Sequence, residues 1–132
     1  MKKVLVFGVF DGLHEGHTQF LKQAKACGDY LVAVVARDTV AEEVKGTYPR
    51  LPLAVRVEHL RAGGCVDEVV LGDAKIGSYE VLKKQRPDVV ALGYDQEALK
   101  ADLETRKKEF NWDFEIKVLE PHEPEKYHSS IL

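Results

Sequence analysis

The stretch GVFDGLHEGH, residues 8–17, concentrates groups that can do chemistry. His14 and His17 stand three apart, Asp11 precedes them, and glycines fall at 8, 12 and 16. Two imidazoles at i and i+3 with a carboxylate nearby can ligate a metal. Imidazoles at the start of a helix can instead hold an anion, because the first N–H groups of a helix are unpaired and its dipole favours negative charge. Gly16 would let such a ligand lie against the backbone. A third reading is a pair of histidines that only cap a turn. No second His, Cys or Asp cluster has ligand spacing, and a helix N-terminus disfavours cations. The balance favours phosphate, with no resident metal site expected. The glycine spacing is neither G-x-G-x-x-G nor a Gly-Lys-Ser/Thr loop.

The surrounding pattern says how these residues are held. VLVFG (4–8) is a short apolar run ended by glycine and reads as a strand buried on both faces. HTQFLKQAKACG (17–28) has Phe20, Leu21, Ala24 and Cys27 at helical spacing. Further strands are expected at 30–36, 67–72, 88–93 and 114–120, and further helices at 53–64, 78–87 and 95–110. Ser78 is the expected N-cap of the 78–87 helix. Residues 37–52 are polar, end in Pro49 and Pro52, and read as a loop with at most one helical turn. Strands alternate with helices throughout, so the expected fold is α/β, a doubly wound parallel sheet of about five strands in one domain, 1–132. Ligands of such sheets sit at the strand carboxyl ends, near the switch in strand order. Gly8, Ala36-Arg37, Gly72 and Gly93-Tyr94-Asp95 should therefore share one rim with the histidine stretch.

Composition limits the partners. The 132 residues suit one domain able to bury a core without metal or disulfide staples. A net charge of −3 gives no basic stripe for nucleic acid or an acidic membrane. Cys27 and Cys65 have neither disulfide-framework nor metal-cluster spacing. The amino-terminal apolar run is too short for a signal sequence or membrane helix, so the cytoplasm is the expected compartment.

FDGLHEGH resembles the signature of the cytidylyltransferase-like nucleotidyltransferases, whose core is H-x-G-H. His14, Gly16 and His17 match that core. The resemblance spans essentially the whole chain and implies a Rossmann-like nucleotidyltransferase fold. It further implies that His14 and His17 bind the nucleotide phosphates. Arg56 and Lys45 would act at the β and γ phosphates, and Ser129 and Ser130 would donate hydrogen bonds from a late signature. Val9, Phe10, Asp11, Gly16, Gly93 and Asp95 would line the nucleotide site. Two departures stand out. Arg56 lacks the usual acidic or histidine neighbour in Leu53-Ala54-Val55-Arg56, and only Ile131 and Leu132 follow Ser130.

The implied reaction is nucleotidyl transfer to a phosphorylated acceptor with release of pyrophosphate, with Mg²⁺ arriving on the triphosphate. Ala36-Arg37-Asp38 and Gly93-Tyr94-Asp95-Gln96 resemble the archaeal-type FAD synthases, which implies ATP and FMN as substrates. Two rivals remain: a CTP-dependent glycerol-3-phosphate cytidylyltransferase, and a nucleotide- or flavin-binding module without turnover. Relatives of this type often dimerise, which leaves a homodimer open.

Overall fold

The computed structural model describes residues 1–120. They form a five-stranded, all-parallel sheet in the order β3-β2-β1-β4-β5. The strands are β1 (Lys3–Gly8), β2 (Tyr30–Val35), β3 (Glu68–Leu71), β4 (Val89–Leu92) and β5 (Glu115–Val118). The helices are α1 (Glu15–Lys25), α2 (Asp38–Lys45), α3 (Leu53–Gly63), α4 (Glu80–Gln85) and α5 (Glu97–Thr105), with a 3-10 turn at Lys107–Glu109. The order reverses between β1 and β4, which makes that junction the switch point.

The apolar runs of the sequence map onto position in the sheet. β1, β2 and β4 are the inner strands; β4 is buried along its whole length, and β1 and β2 nearly so. The edge strands β3 and β5 are partly exposed and carry more polar residues. One face of β1 (Val4, Val6) packs with Phe20, Leu21 and Ala24 of α1 and Val57 and Leu60 of α3. The other (Leu5) packs with Leu82 of α4, Leu103 of α5 and the aromatic pair Phe110 and Phe114. Alternate residues of one strand thus anchor opposite helical layers.

Two local expectations are corrected. Residues 38–45, expected as loop with a single turn, form the eight-residue helix α2, closed by Gly46 at φ 86°. The helix buries only Ala41 fully; Val40 is half-buried and Val44 exposed, so little of its short apolar stripe is covered. Ser78 does not cap α4. Tyr79 stands at the N-cap with φ 51°, and the Asp73 carboxylate accepts the N–H groups of Glu80 and Val81 at 3.1 and 3.0 Å.

Candidate active site

The loop from β1 to α1 is shaped by its backbone. Phe10 adopts φ 54°, a left-handed conformation unfavourable for an aromatic residue. Its ring is fully buried and lies 5.8 Å from the His17 ring, so core packing holds the strained backbone in place. Gly12 follows at φ 86°, where a side chain would be strained and would meet the Arg50 guanidinium. The Asp11 carboxylate accepts the N–H groups of Arg50 at 2.7 Å and Leu51 at 2.9 Å. Burial raises its pKa, but those N–H groups and the charges of Arg50 and Arg56 outweigh burial and leave it below the ordinary value. Asp11 thus ties the histidine loop to the segment before α3.

His14 is the N-cap of α1. Its Nδ1 accepts the Gly16 N–H at 2.9 Å, and the Nδ1 of His17 accepts the His14 N–H at 3.4 Å. The two imidazoles build a reciprocal capping box, with ring centroids 4.2 Å apart. Each Nδ1 is an acceptor, so in the neutral ring the proton sits on Nε2. Burial lowers the pKa of both; for His17, with the nearby charges of His14 and Lys45 adding and Asp11 opposing, it falls to about 3. His17 Nε2 is buried and has no hydrogen-bond partner among the described residues. For His17 the capping and phosphate readings of the sequence are therefore compatible: its Nδ1 accepts the His14 N–H, and its Nε2–H is left to donate.

Lys45 ends α2 on an exposed turn, and its charge reaches His17 strongly enough to lower that pKa. Its helical placement, unexpected from sequence, brings it to the mouth of α1. Arg56 is placed differently. It is fully buried, and its guanidinium donates to the carbonyls of Leu51 (3.0 Å), Val9 (2.9 Å) and Ala36 (2.7 Å) and to the Asp38 carboxylate. The position expected of a phosphate contact is that of a clamp between the carboxyl ends of β1 and β2. Val9 is buried at the start of the loop, and Gly16 is buried in the first turn of α1.

Gly93, Tyr94 and Asp95 stand at the carboxyl end of β4, on the rim with Gly8, Ala36 and Gly72, as expected. Asp95 is not the N-cap of α5; Gln96 occupies that position. Gln96 entered the sequence reading only as part of the Gly93–Gln96 resemblance, with no place in the site. It is 1% exposed, its Nε2 donates to the Phe7 carbonyl at 3.0 Å, and its Oε1 accepts the Gly93 N–H at 2.8 Å. It staples β4 to β1 across the switch point. A glutamine in a polar stretch gives no sign of burial, so only the fold reveals it. Ser129 and Ser130 lie outside the described residues.

Among the described residues, no group of three or more His, Cys, Asp or Glu side chains is arranged to hold a metal ion, and no helix is long and apolar enough to cross a membrane. What the rim offers is two imidazoles at a helix N-terminus, with the buried His17 Nε2–H as a donor, and a nearby lysine. That arrangement can neutralise developing charge on phosphate oxygens.

Comparison with known proteins agrees with this geometry. A cytidylyltransferase-like family model matches residues 5–132. An FAD synthase of Thermococcus sibiricus is 48% identical over 113 residues, covering 83% of this chain and 75% of the relative. The FAD synthase of Pyrococcus horikoshii is 41% identical over 114 residues, covering 86% and 77%. The crystal structure of the lipopolysaccharide core biosynthesis protein of Thermoplasma volcanium superposes with a TM-score of 0.86 at 32% identity, covering 93% of this chain and 99% of that one.

Proposed function

The chain belongs to the cytidylyltransferase-like family, and from that premise we propose that it is an FMN adenylyltransferase, converting ATP and FMN to FAD and pyrophosphate. The observation that carries the choice of acceptor is the 41–48% identity to proteins named FAD synthase over most of the chain. The histidine pair carries the chemistry.

A phosphate oxygen of FMN attacks the α-phosphorus of ATP. The new P–O bond forms as the bond to the α,β-bridging oxygen breaks, and pyrophosphate leaves with the electron pair. The attacking phosphate is already an anion, so no strong base is required. Catalysis is positioning plus stabilisation of charge on the bridging and non-bridging oxygens. The Nε2–H groups of His14 and His17 donate to those oxygens as neutral hydrogen-bond donors, fixed by their own capping bonds. The α1 N-terminus adds a favourable field, and Lys45 supplies the mobile positive charge. Arg56 holds the loops that carry these groups. Ser129 and Ser130 complete the reading as donors to the triphosphate.

Mg²⁺ enters as part of the ATP substrate and keeps much of its water. The cytoplasm is the compartment and a homodimer the assembly of the same reading, the latter checked by light scattering. The test of function is steady-state turnover with matched substrate pairs. ATP with FMN should exceed CTP with glycerol 3-phosphate by at least about tenfold in kcat/KM. The reverse order would make this a cytidylyltransferase, and no pyrophosphate release with any pair would make it a binding module.

A further inference from the structure

The sequence resemblance assigns two cations to the nucleotide phosphates, Lys45 and Arg56, and the structure withdraws the second. The Arg56 guanidinium is fully buried and spent on the carbonyls of Leu51, Val9 and Ala36 and on the Asp38 carboxylate. Another arginine stands on the histidine loop itself. Arg50 lies in the segment between α2 and α3, and its side chain is 80% exposed. Its Nη2 donates to the Asp11 carbonyl at 3.4 Å, and its Nε lies 3.9 Å from the Asp11 carboxylate. A Cβ placed on Gly12 would come within 2.8 Å of the same Nη2. The guanidinium therefore rests on the Asp11–Gly12 backbone, over the face that Gly12 leaves bare.

Resting on the FMN adenylyltransferase reading, we propose that Arg50 is a further phosphate-binding residue, whose guanidinium holds the terminal phosphates of ATP at the histidine loop. Asp11 puts a carboxylate into a loop that must receive a polyanion, and its charge reaches the His17 ring. A cation beside that carboxylate offsets the repulsion. The buried His17 Nε2 has no partner among the described residues, which marks the same loop as built to meet a ligand.

The stem of Arg50 is fixed before a ligand arrives. Its own N–H and that of Leu51 are both taken by the Asp11 carboxylate, and Pro49 and Pro52 flank the pair. Most of the N–H donors of its planar fork still face water. A guanidinium fork of this kind is suited to bidentate capture of a phosphate, and a fixed stem lowers the ordering cost of that capture.

The test is isothermal titration of the full chain with ATP and with AMP, in the presence of Mg²⁺, on wild type, Arg50→Ala and Arg50→Lys. Each substitution keeps the backbone N–H that Asp11 accepts, so the tether of the loop survives and only the guanidinium is lost. Arg50→Ala should weaken ATP by about tenfold or more and AMP by less than about twofold. Arg50→Lys should fall between wild type and Arg50→Ala, because the charge is kept and the fork is not. The melting temperature of the nucleotide-free protein should hold, since the side chain is exposed. In turnover, KM for ATP should rise while KM for FMN holds. Equal losses for ATP and AMP would make Arg50 a prop of the loop, and unchanged ATP affinity would exclude the contact; either overturns the proposal. If wild type makes no FAD from ATP and FMN, the proposed reaction fails, and the titration still decides Arg50. A loss confined to ATP then upholds the residue, and a wild type that binds ATP no more tightly than AMP overturns it.

Discussion

The Nδ1 of His17 accepts the backbone N–H of His14, so the two signature histidines are locked to one another before any ligand arrives. That bond fixes the tautomer of His17 and leaves its buried Nε2–H as a donor. In the proposed function the pair acts as preset dipoles and not as two cations. Loss of either imidazole should therefore cost transition-state stabilisation. His14→Ala and His17→Ala should each lower kcat/KM by about 100-fold or more, with a far-UV circular dichroism spectrum like that of wild type. Turnover near the wild-type level in either variant would refute the role.

The neutrality of His17 has a signature in stability. Above pH 6.5 the folded and unfolded chains both hold this imidazole uncharged. Below it, the unfolded chain binds a proton that the folded chain refuses until about pH 3. Stability should thus fall as pH falls from 6.5 towards 3, by up to about 1.4 kcal/mol per pH unit from this group. Urea unfolding at pH 7, 6 and 5 should show that slope reduced in His17→Gln. Equal slopes in the two proteins would contradict the assignment.

Arg56 should behave as a structural clamp. Arg56→Ala strips the partners from the carbonyls of Val9, Ala36 and Leu51 and should cost about 2–4 kcal/mol in urea unfolding. Arg56→Lys should restore little, since one ammonium cannot span the same fork of acceptors. Asp38→Asn should cost less, because the Asp38 side chain is 40% exposed. A fully stable Arg56→Ala with impaired turnover would return Arg56 to direct phosphate contact.

Gln96 should tie stability to nucleotide binding. Gln96→Leu leaves the Phe7 carbonyl and the Gly93 N–H without partners and should cost about 1–3 kcal/mol. It should also raise KM for ATP, because Gly93 and Gln96 line a cleft at the carboxyl end of β4. Gln96→Glu should not rescue it, since a carboxylate cannot donate to the Phe7 carbonyl. A thermal melt and an ATP titration on the same samples check both effects, and a change in neither would leave Gln96 without this role.

The sequence by itself determined the alternation of strands and helices, the parallel sheet, and the placing of Gly8, Ala36, Gly72 and Gly93 on one rim. Those follow from local apolar period and chain order, which short windows carry. It also determined the histidine pair, because types and spacing within ten residues survive any packing. The tertiary structure alone decided where Arg56, Gln96 and Lys45 sit. Arg56 is a cation by composition and a buried clamp by packing, because its acceptors lie 5, 18, 20 and 47 residues away. Gln96 reads as a surface amide until β1 and β4 become neighbours, 89 residues apart along the chain at Phe7. Lys45 reaches the site because α2 forms, and α2 is hidden in the sequence since it buries only Ala41 fully. Short-range pattern records which face of an element is apolar. It does not record which distant backbone oxygen a polar side chain will meet, and that meeting builds this site.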